Sequence, residues 1–191
     1  MKQLKDLVPD IYRHLESLSD GIPLPLTEAE IDKTVADMKV ALMSWATPRE
    51  RNKDFTLQIK FLYGHLLEEI VLMLVRMAGH TVTDEQKEVK VEGILGHMDC
   101  KINGEVVDVK TASRFAFNKF REGRLAQDDP FGYMGQLAGY EKAEGTDQGG
   151  FLVLNKESGE LCMYVPDDLD KPNITTTINK LVPALKLDTP P

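Results

Sequence analysis

The chain has 191 residues, 42% of them hydrophobic, a formal net charge of −8 and a pI near 5.1, so it can bury a core without cross-links, and bulk electrostatics argues against non-specific attraction to nucleic acid. Its two cysteines, Cys100 and Cys162, lie far apart in apolar, strand-like runs and are expected as buried free thiols, not as a disulfide framework or a metal site. No stretch reaches the ~18 apolar residues of a membrane span and no apolar run follows Met1-Lys2, which leads to the expectation of a soluble, cytoplasmic protein.

No internal repeat or low-complexity tract is present. Residues 4–18 carry apolar positions at helical spacing and are expected to form a short helix, broken by Gly21-Ile22-Pro23-Leu24-Pro25-Leu26. Thr27 and Glu30 make a capping-box pattern that starts a helix running to about Trp45. Pro48 and the charged run Arg49 to Asp54 read as a loop. From Phe55 to Ala78 comes the strongest helical signal, with Leu57, Phe61, Gly64, Leu67, Val71, Leu74 and Val75 at intervals of three and four, ended by Gly79. Strands are expected at 88–92, 95–102 and 105–111, the last two joined by Asn103-Gly104, a type I′ hairpin signal. Helices at 114–125 and 132–143 follow. Gly149-Gly150 precedes a strand at 151–154, Ser158-Gly159 turns the chain into another at 160–165, and 174–187 is read as a last helix. This order implies an α/β or α+β fold with a mixed central sheet flanked by helices.

The chemistry gathers at Gly96-His97-Met98-Asp99 and Val106-Val107-Asp108-Val109-Lys110. Strand side chains alternate faces, so Asp108 and Lys110 share one face while Val107 and Val109 point to the other, into the core. The Asn-Gly turn folds the previous strand back and brings Asp99 beside Asp108, so two carboxylates and one ammonium are expected to meet at one edge of the sheet. Two crowded carboxylates need compensation. A hard divalent cation such as Mg²⁺ or Mn²⁺ provides it, can hold a phosphate oxygen and makes a bound water more nucleophilic. Lys110 is then placed to orient that water, assist its deprotonation or stabilise developing charge. The Val109 carbonyl faces the same side and is a further candidate ligand. The plain alternative is a surface hairpin carrying an ordinary Asp–Lys pair.

With Asp99 followed by Asp108-Val109-Lys110, the sequence resembles the PD-(D/E)xK nuclease superfamily, in particular its RecB-like branch of phage and recombination exonucleases. Two further motifs carry the narrower resemblance. Gly64-His65-Leu66-Leu67-Glu68 resembles the Gly-x-x-x-Glu helix motif, which implies Glu68 as a metal ligand. Gly64 and Glu68 share a helix face, whereas Glu69 points about 100° away. Gln136-Leu137-Ala138-Gly139-Tyr140 resembles the Gln-x-x-x-Tyr motif, implying Gln136 and Tyr140 as active-site groups. The resemblance covers roughly 61–165. It implies a restriction-endonuclease-like core at about 55–170, a helical extension at 1–54 and a C-terminal tail at 171–191. It also implies catalytic Glu68, Asp99, Asp108, Lys110, Gln136 and Tyr140, with metal held by Glu68, Asp99, Asp108 and the Val109 carbonyl. DNA is the implied substrate, a strand-annealing recombination protein an implied partner, and a homo-oligomer is left open. The proline of the family pattern is absent before Asp99. Two cysteines cannot hold the four-cysteine iron–sulfur cluster of some relatives, and no P-loop supplies a motor.

Between Lys110 and Gln136 lie Arg114, Lys119, Arg121 and Arg124, interleaved with Phe115, Phe117 and Phe120, the most basic stretch of an acidic chain. These four cations are expected to track a DNA backbone leading into the site; a Phe core face with a solvated basic face is the alternative. The histidines show no zinc-ligand spacing. The leading expectation is therefore a Mg²⁺- or Mn²⁺-dependent DNA exonuclease. A structure- or sequence-specific endonuclease and a non-catalytic DNA-binding module remain as alternatives.

Overall fold

A computed structural model of the chain describes residues 2–17, 27–46 and 55–184. The expected loop at 48–54, the break at 21–26 and the end of the last expected helix lie outside them. A 3₁₀ turn leads into α1 (Leu7–Ser17), and α2 (Glu28–Ala46) and α3 (Phe55–Met77) follow. The strands come next: β1 (Val82–Thr83), β2 (Lys87–Val91), β3 (Ile94–Met98), β4 (Cys100–Ile102) and β5 (Glu105–Ala112). Helices α4 (Arg114–Arg121) and α5 (Tyr133–Glu144) cross over to β6 (Gly150–Asn155), then β7 (Leu161–Tyr164) and α6 (Ile174–Ala184).

The capping box forms as read: Thr27 N–H donates to the Glu30 carboxylate at 2.8 Å, and Glu30 N–H donates to Thr27 Oγ1 at 3.2 Å. At Asn103 and Gly104 both φ angles are positive, 55° and 94°, as a type I′ turn requires. That turn sets the register Cys100↔Val107, which leaves Asp99 level with Asp108.

The central sheet has the order β1-β4-β5-β6-β7. Only the β5–β6 pair is parallel, so the sheet is mixed and the connection between these two strands runs through α4 and α5. Both faces of β5 and β6 are covered. On one face Val107, Val109 and Leu152 pack with Leu7, Ile11, Val71 and Val75 of α1 and α3. On the other, Val106, Phe151 and Val153 pack with Phe117, Phe120 and Leu137 of α4 and α5. Each fully buried side chain of this size contributes ~1.5–3 kcal/mol. Residues 4–11 thus share a core with the sheet.

Three expectations change. The strand read as 95–102 breaks at Asp99: β3 pairs with β2 in a separate two-stranded sheet, and only β4 joins the central one. The reason is a side chain, because an Asp99 carboxylate oxygen accepts the Val109 N–H at 2.8 Å from the facing strand. The helix read as 114–125 stops at Arg121, where Gly123 takes φ 67° and a 3₁₀ turn over Leu125–Gln127 follows. Finally, Glu92 and Gly93 form a positive-φ hairpin turn at 48° and 86° that the Asn/Asp-Gly rule did not flag.

Candidate metal centre

β5 carries Asp108 and Lys110 on its α4/α5 face, with Val106 and Ala112 in the core before and after them. Asp108 is therefore not at a sheet edge but 1% exposed. Lys110 Nζ lies 2.6 Å from Asp108 Oδ2, and no hydrogen-bond geometry satisfies either Asp108 oxygen. Burial pushes the Asp108 carboxyl up to about 8; the Lys110 ammonium pulls the other way, and neighbouring Asp99 adds to the rise. Burial works against the charge on Lys110, but Asp108 and Asp99 outweigh it and hold its pKa above the ordinary lysine value.

Glu68 reaches the same place from α3. Burial raises its pKa, a hydrogen bond from His65 opposes the rise, and Asp99 and Lys110 both act on its charge. The helix passes close to β5 at Gly64, where a Cβ would lie 3.7 Å from Thr111 Oγ1, an ordinary contact, so the approach does not depend on the glycine. Gln86 donates its side-chain amide to Glu68 Oε1 at 3.0 Å and its backbone N–H to the Asp99 carbonyl at 2.8 Å, tying the two acids together. From α5, Gln136 Nε2 donates to the Tyr140 hydroxyl at 2.9 Å. Burial raises the Tyr140 pKa, and the charges of Asp108, Asp99 and Lys110 all act on it. Its ring fits because residue 96 has no side chain; a Cβ on Gly96 would lie 2.9 Å from Tyr140 Cε1.

Glu68, Asp99, Asp108, Lys110 and the Gln136–Tyr140 pair are thus brought together, with the Val109 backbone fixed against Asp99. Two groups escaped the sequence reading. Tyr133, at the start of α5, sets its ring 5.4 Å from Lys110 Nζ. Gln86 had no motif to mark it, since it sits in a turn at φ 53°. His97 points away: its ring is exposed and lies 3.7 Å from Glu88.

All the converging donors are oxygens, and a buried Asp108 oxygen without a partner is what a hard cation satisfies. The three expected ligands nevertheless do not bring one oxygen each within 4.8 Å of one another. Among the described residues the acidic group that does is Asp37, Glu69 and Glu85. That group is an ion network: Lys33 lies 2.7 Å from Asp37 and 3.1 Å from Glu85, and Arg76 also pairs with Glu85. Burial, with Asp37, Glu68 and Glu85 nearby, pushes the third member, Glu69, up to about 7. Glu68 and Glu69 therefore face different clusters.

The basic stretch is largely self-neutralised. Lys119 pairs with Asp128, Arg121 with Glu160 and Arg124 with Glu122, while Arg114 is exposed at the first turn of α4. Phe117 and Phe120 form the core face, and Phe115 is left outside at 75% exposure.

No protein-family model matches the sequence, and a search of curated proteins returns no significant match. Among solved structures, the alkaline exonuclease LHK-Exo from Laribacter hongkongensis aligns over 97% of this chain and 87% of its own, at TM-score 0.51 and 14% identity. The structure of SSO0001 aligns over 96% of this chain and 76% of its own, at TM-score 0.42 and 14% identity. The mixed sheet flanked by helices is therefore a nuclease-like fold.

Proposed function

We propose that the chain is a Mg²⁺- or Mn²⁺-dependent deoxyribonuclease that degrades DNA from its ends, of the kind that serves phage-type recombination or repair alongside a strand-annealing protein. The observation that carries this reading is Asp108: a carboxylate 1% exposed, with an unsatisfied oxygen, next to Lys110 and in electrostatic contact with Asp99. A purely structural role gives no reason for that arrangement: burial makes ionised Asp108 costly enough to push its carboxyl up to about 8, a cost that a bound cation would offset.

Glu68, Asp99, Asp108 and the Val109 carbonyl would hold the cation. When bound, it supplies Lewis-acid polarisation of a phosphate oxygen and a more acidic water. Lys110, with Nζ 2.6 Å from Asp108, would orient the attacking water and stabilise charge on the phosphate oxygens. Water oxygen adds to phosphorus as its proton passes to solvent, one phosphorus–oxygen bond to the sugar breaks, and the departing sugar oxygen takes a proton from solvent. Tyr140, held by Gln136, and Tyr133 flank the lysine and shape the approach of the strand.

Linear duplex DNA and covalently closed circular DNA, each incubated with Mg²⁺ and with EDTA, test the proposal. Loss of only the linear substrate, and only with metal, is the expected result. Cleavage of the circle would replace the exonuclease by an endonuclease; no cleavage of either with Mg²⁺ or Mn²⁺ would overturn the reading.

Gly96→Ala gives a second expectation. The new methyl group pushes the Tyr140 ring away from the site by a few tenths of an ångström and strains its bond with Gln136. Cleavage is expected to fall about tenfold with a melting temperature within ~4 °C of wild type. An unchanged rate would remove Tyr140 from the active site.

A further inference from the structure

Immediately beyond Lys110 the chain leaves a pocket of about 130 Å³ between the end of β5, α4 and the approach to α5. Lys110 forms one end, Phe120 lies in the floor, and Lys119, Phe131 and Tyr133 line the walls. Phe131 is 76% exposed, with its ring centroid 5.5 Å from that of Tyr133. Tyr133 in turn lies against Lys110. Lys119 Nζ also sits 5.2 Å from the ring of Phe115, a second exposed phenylalanine that lies outside the pocket lining.

The core does not need these two rings. On α4 the core positions are filled by Phe117 and Phe120, which are 0% and 3% exposed. The acids nearby are already committed. Asp129 accepts the N–H groups of Tyr133 and Met134 at 2.9 and 2.8 Å and so caps α5, while Asp128 pairs with Lys119. What remains open is the exposed ring of Phe131, tilted 32° against Tyr133, which leads on to Lys110, with the Lys119–Asp128 pair beside it. Aromatic faces take the π-face of any base, and an adjacent cation takes its phosphate.

We infer that this pocket holds one unpaired base of the substrate strand, stacked on Phe131, next to the phosphate at Lys110. The inference rests on the reading of the chain as a DNA nuclease. Lys119 exchanges Asp128 for the phosphate of the seated nucleotide.

The test uses the full chain and a duplex with a short single-stranded tail, in both polarities, with Ca²⁺ in place of Mg²⁺ and fluorescence anisotropy as readout. Bases of the tail are replaced one at a time by an abasic residue. In the wild type one position is expected to cost about tenfold in affinity and the others much less. Phe131→Ala is expected to bind the intact tail about tenfold more weakly and to show no further loss at that position; Phe131→Trp restores the penalty. Phe131 is exposed enough for these changes to leave the core alone, and melting temperatures measured alongside verify it. An abasic penalty that is uniform in the wild type, or persists in Phe131→Ala, overturns the pocket. If the wild type cuts DNA with metal but shows no such coupling, only this inference falls. If the coupling appears without cleavage under any metal, the pocket stands and the nuclease reading falls. Absence of DNA binding overturns both.

Discussion

Lys110→Ala is expected to lower the cleavage rate by at least ~10²–10³ while leaving metal binding in place, whereas Asp108→Asn is expected to lose both. The split follows from the geometry. Among the described residues Lys110 supplies the one lysine ammonium that pairs with Asp108, at 2.6 Å. Removing it takes away stabilisation of charge on the phosphate but no oxygen ligand. The metal then becomes the sole partner of Asp108, so the melting temperature of Lys110→Ala depends more on Mg²⁺ than that of the wild type. Asp108→Asn keeps the shape but leaves one oxygen in place of two, puts an N–H donor where the other oxygen was and removes the charge. Cleavage rate and Mn²⁺ affinity, measured on both variants, check this. A Lys110→Ala protein that cuts at the wild-type rate would contradict the role assigned to the lysine.

The metal-free protein is also expected to lose stability as pH rises from 6.5 to 8. Asp108 has its ordinary pKa of 3.8 when unfolded and about 8 when folded. Through that interval the folded chain binds more protons than the unfolded one, so unfolding free energy falls with pH. Glu69, moved from 4.5 to about 7, works in the same direction, as does Glu68. His80 works against them below 6.5: burial lowers its pKa, so it adds stability as pH climbs towards its ordinary value. Above 6.5 His65, whose pKa the hydrogen bond with Glu68 raises, adds to the fall that the carboxylates cause. Asp108 then accounts for about 2 kcal/mol, a fall of ~4–8 °C in melting temperature. Mg²⁺ flattens the slope, because a bound cation favours the ionised acids, and Asp108→Asn flattens it without metal. Thermal melts in EDTA that stay level across this window, or keep the same slope in Asp108→Asn, would remove the buried carboxylate as the cause.

The hairpin and its chemistry were legible because local rules agree there. Asn103-Gly104 fixes the turn, the turn fixes Cys100 opposite Val107, and this register alone carries Asp99 to Asp108. The four-residue spacings of Gly64 with Glu68 and Gln136 with Tyr140 were equally readable, since a helix puts such pairs on one face. Other features depend on contacts between distant segments. The break of the strand at Asp99 needs the Val109 N–H of the neighbouring strand. The pairing of Arg121 with Glu160 spans 39 residues and turns an expected DNA-facing cation into half of an ion pair. Asp108 was expected where metal and water meet at a sheet edge, but α4 and α5 cover that face and bury it. Tyr133 carries no motif. It becomes visible only when Asp129 caps α5 and so sets the ring against Lys110.

The most direct test of the central claim is a side-by-side incubation of wild type and Asp108→Asn with end-labelled linear duplex DNA, in Mg²⁺ and in EDTA. Label release by the wild type in Mg²⁺ alone, with none from a folded Asp108→Asn, is the expected result. Equal release by the variant, or by the wild type in EDTA, would contradict a metal centre built on Asp108.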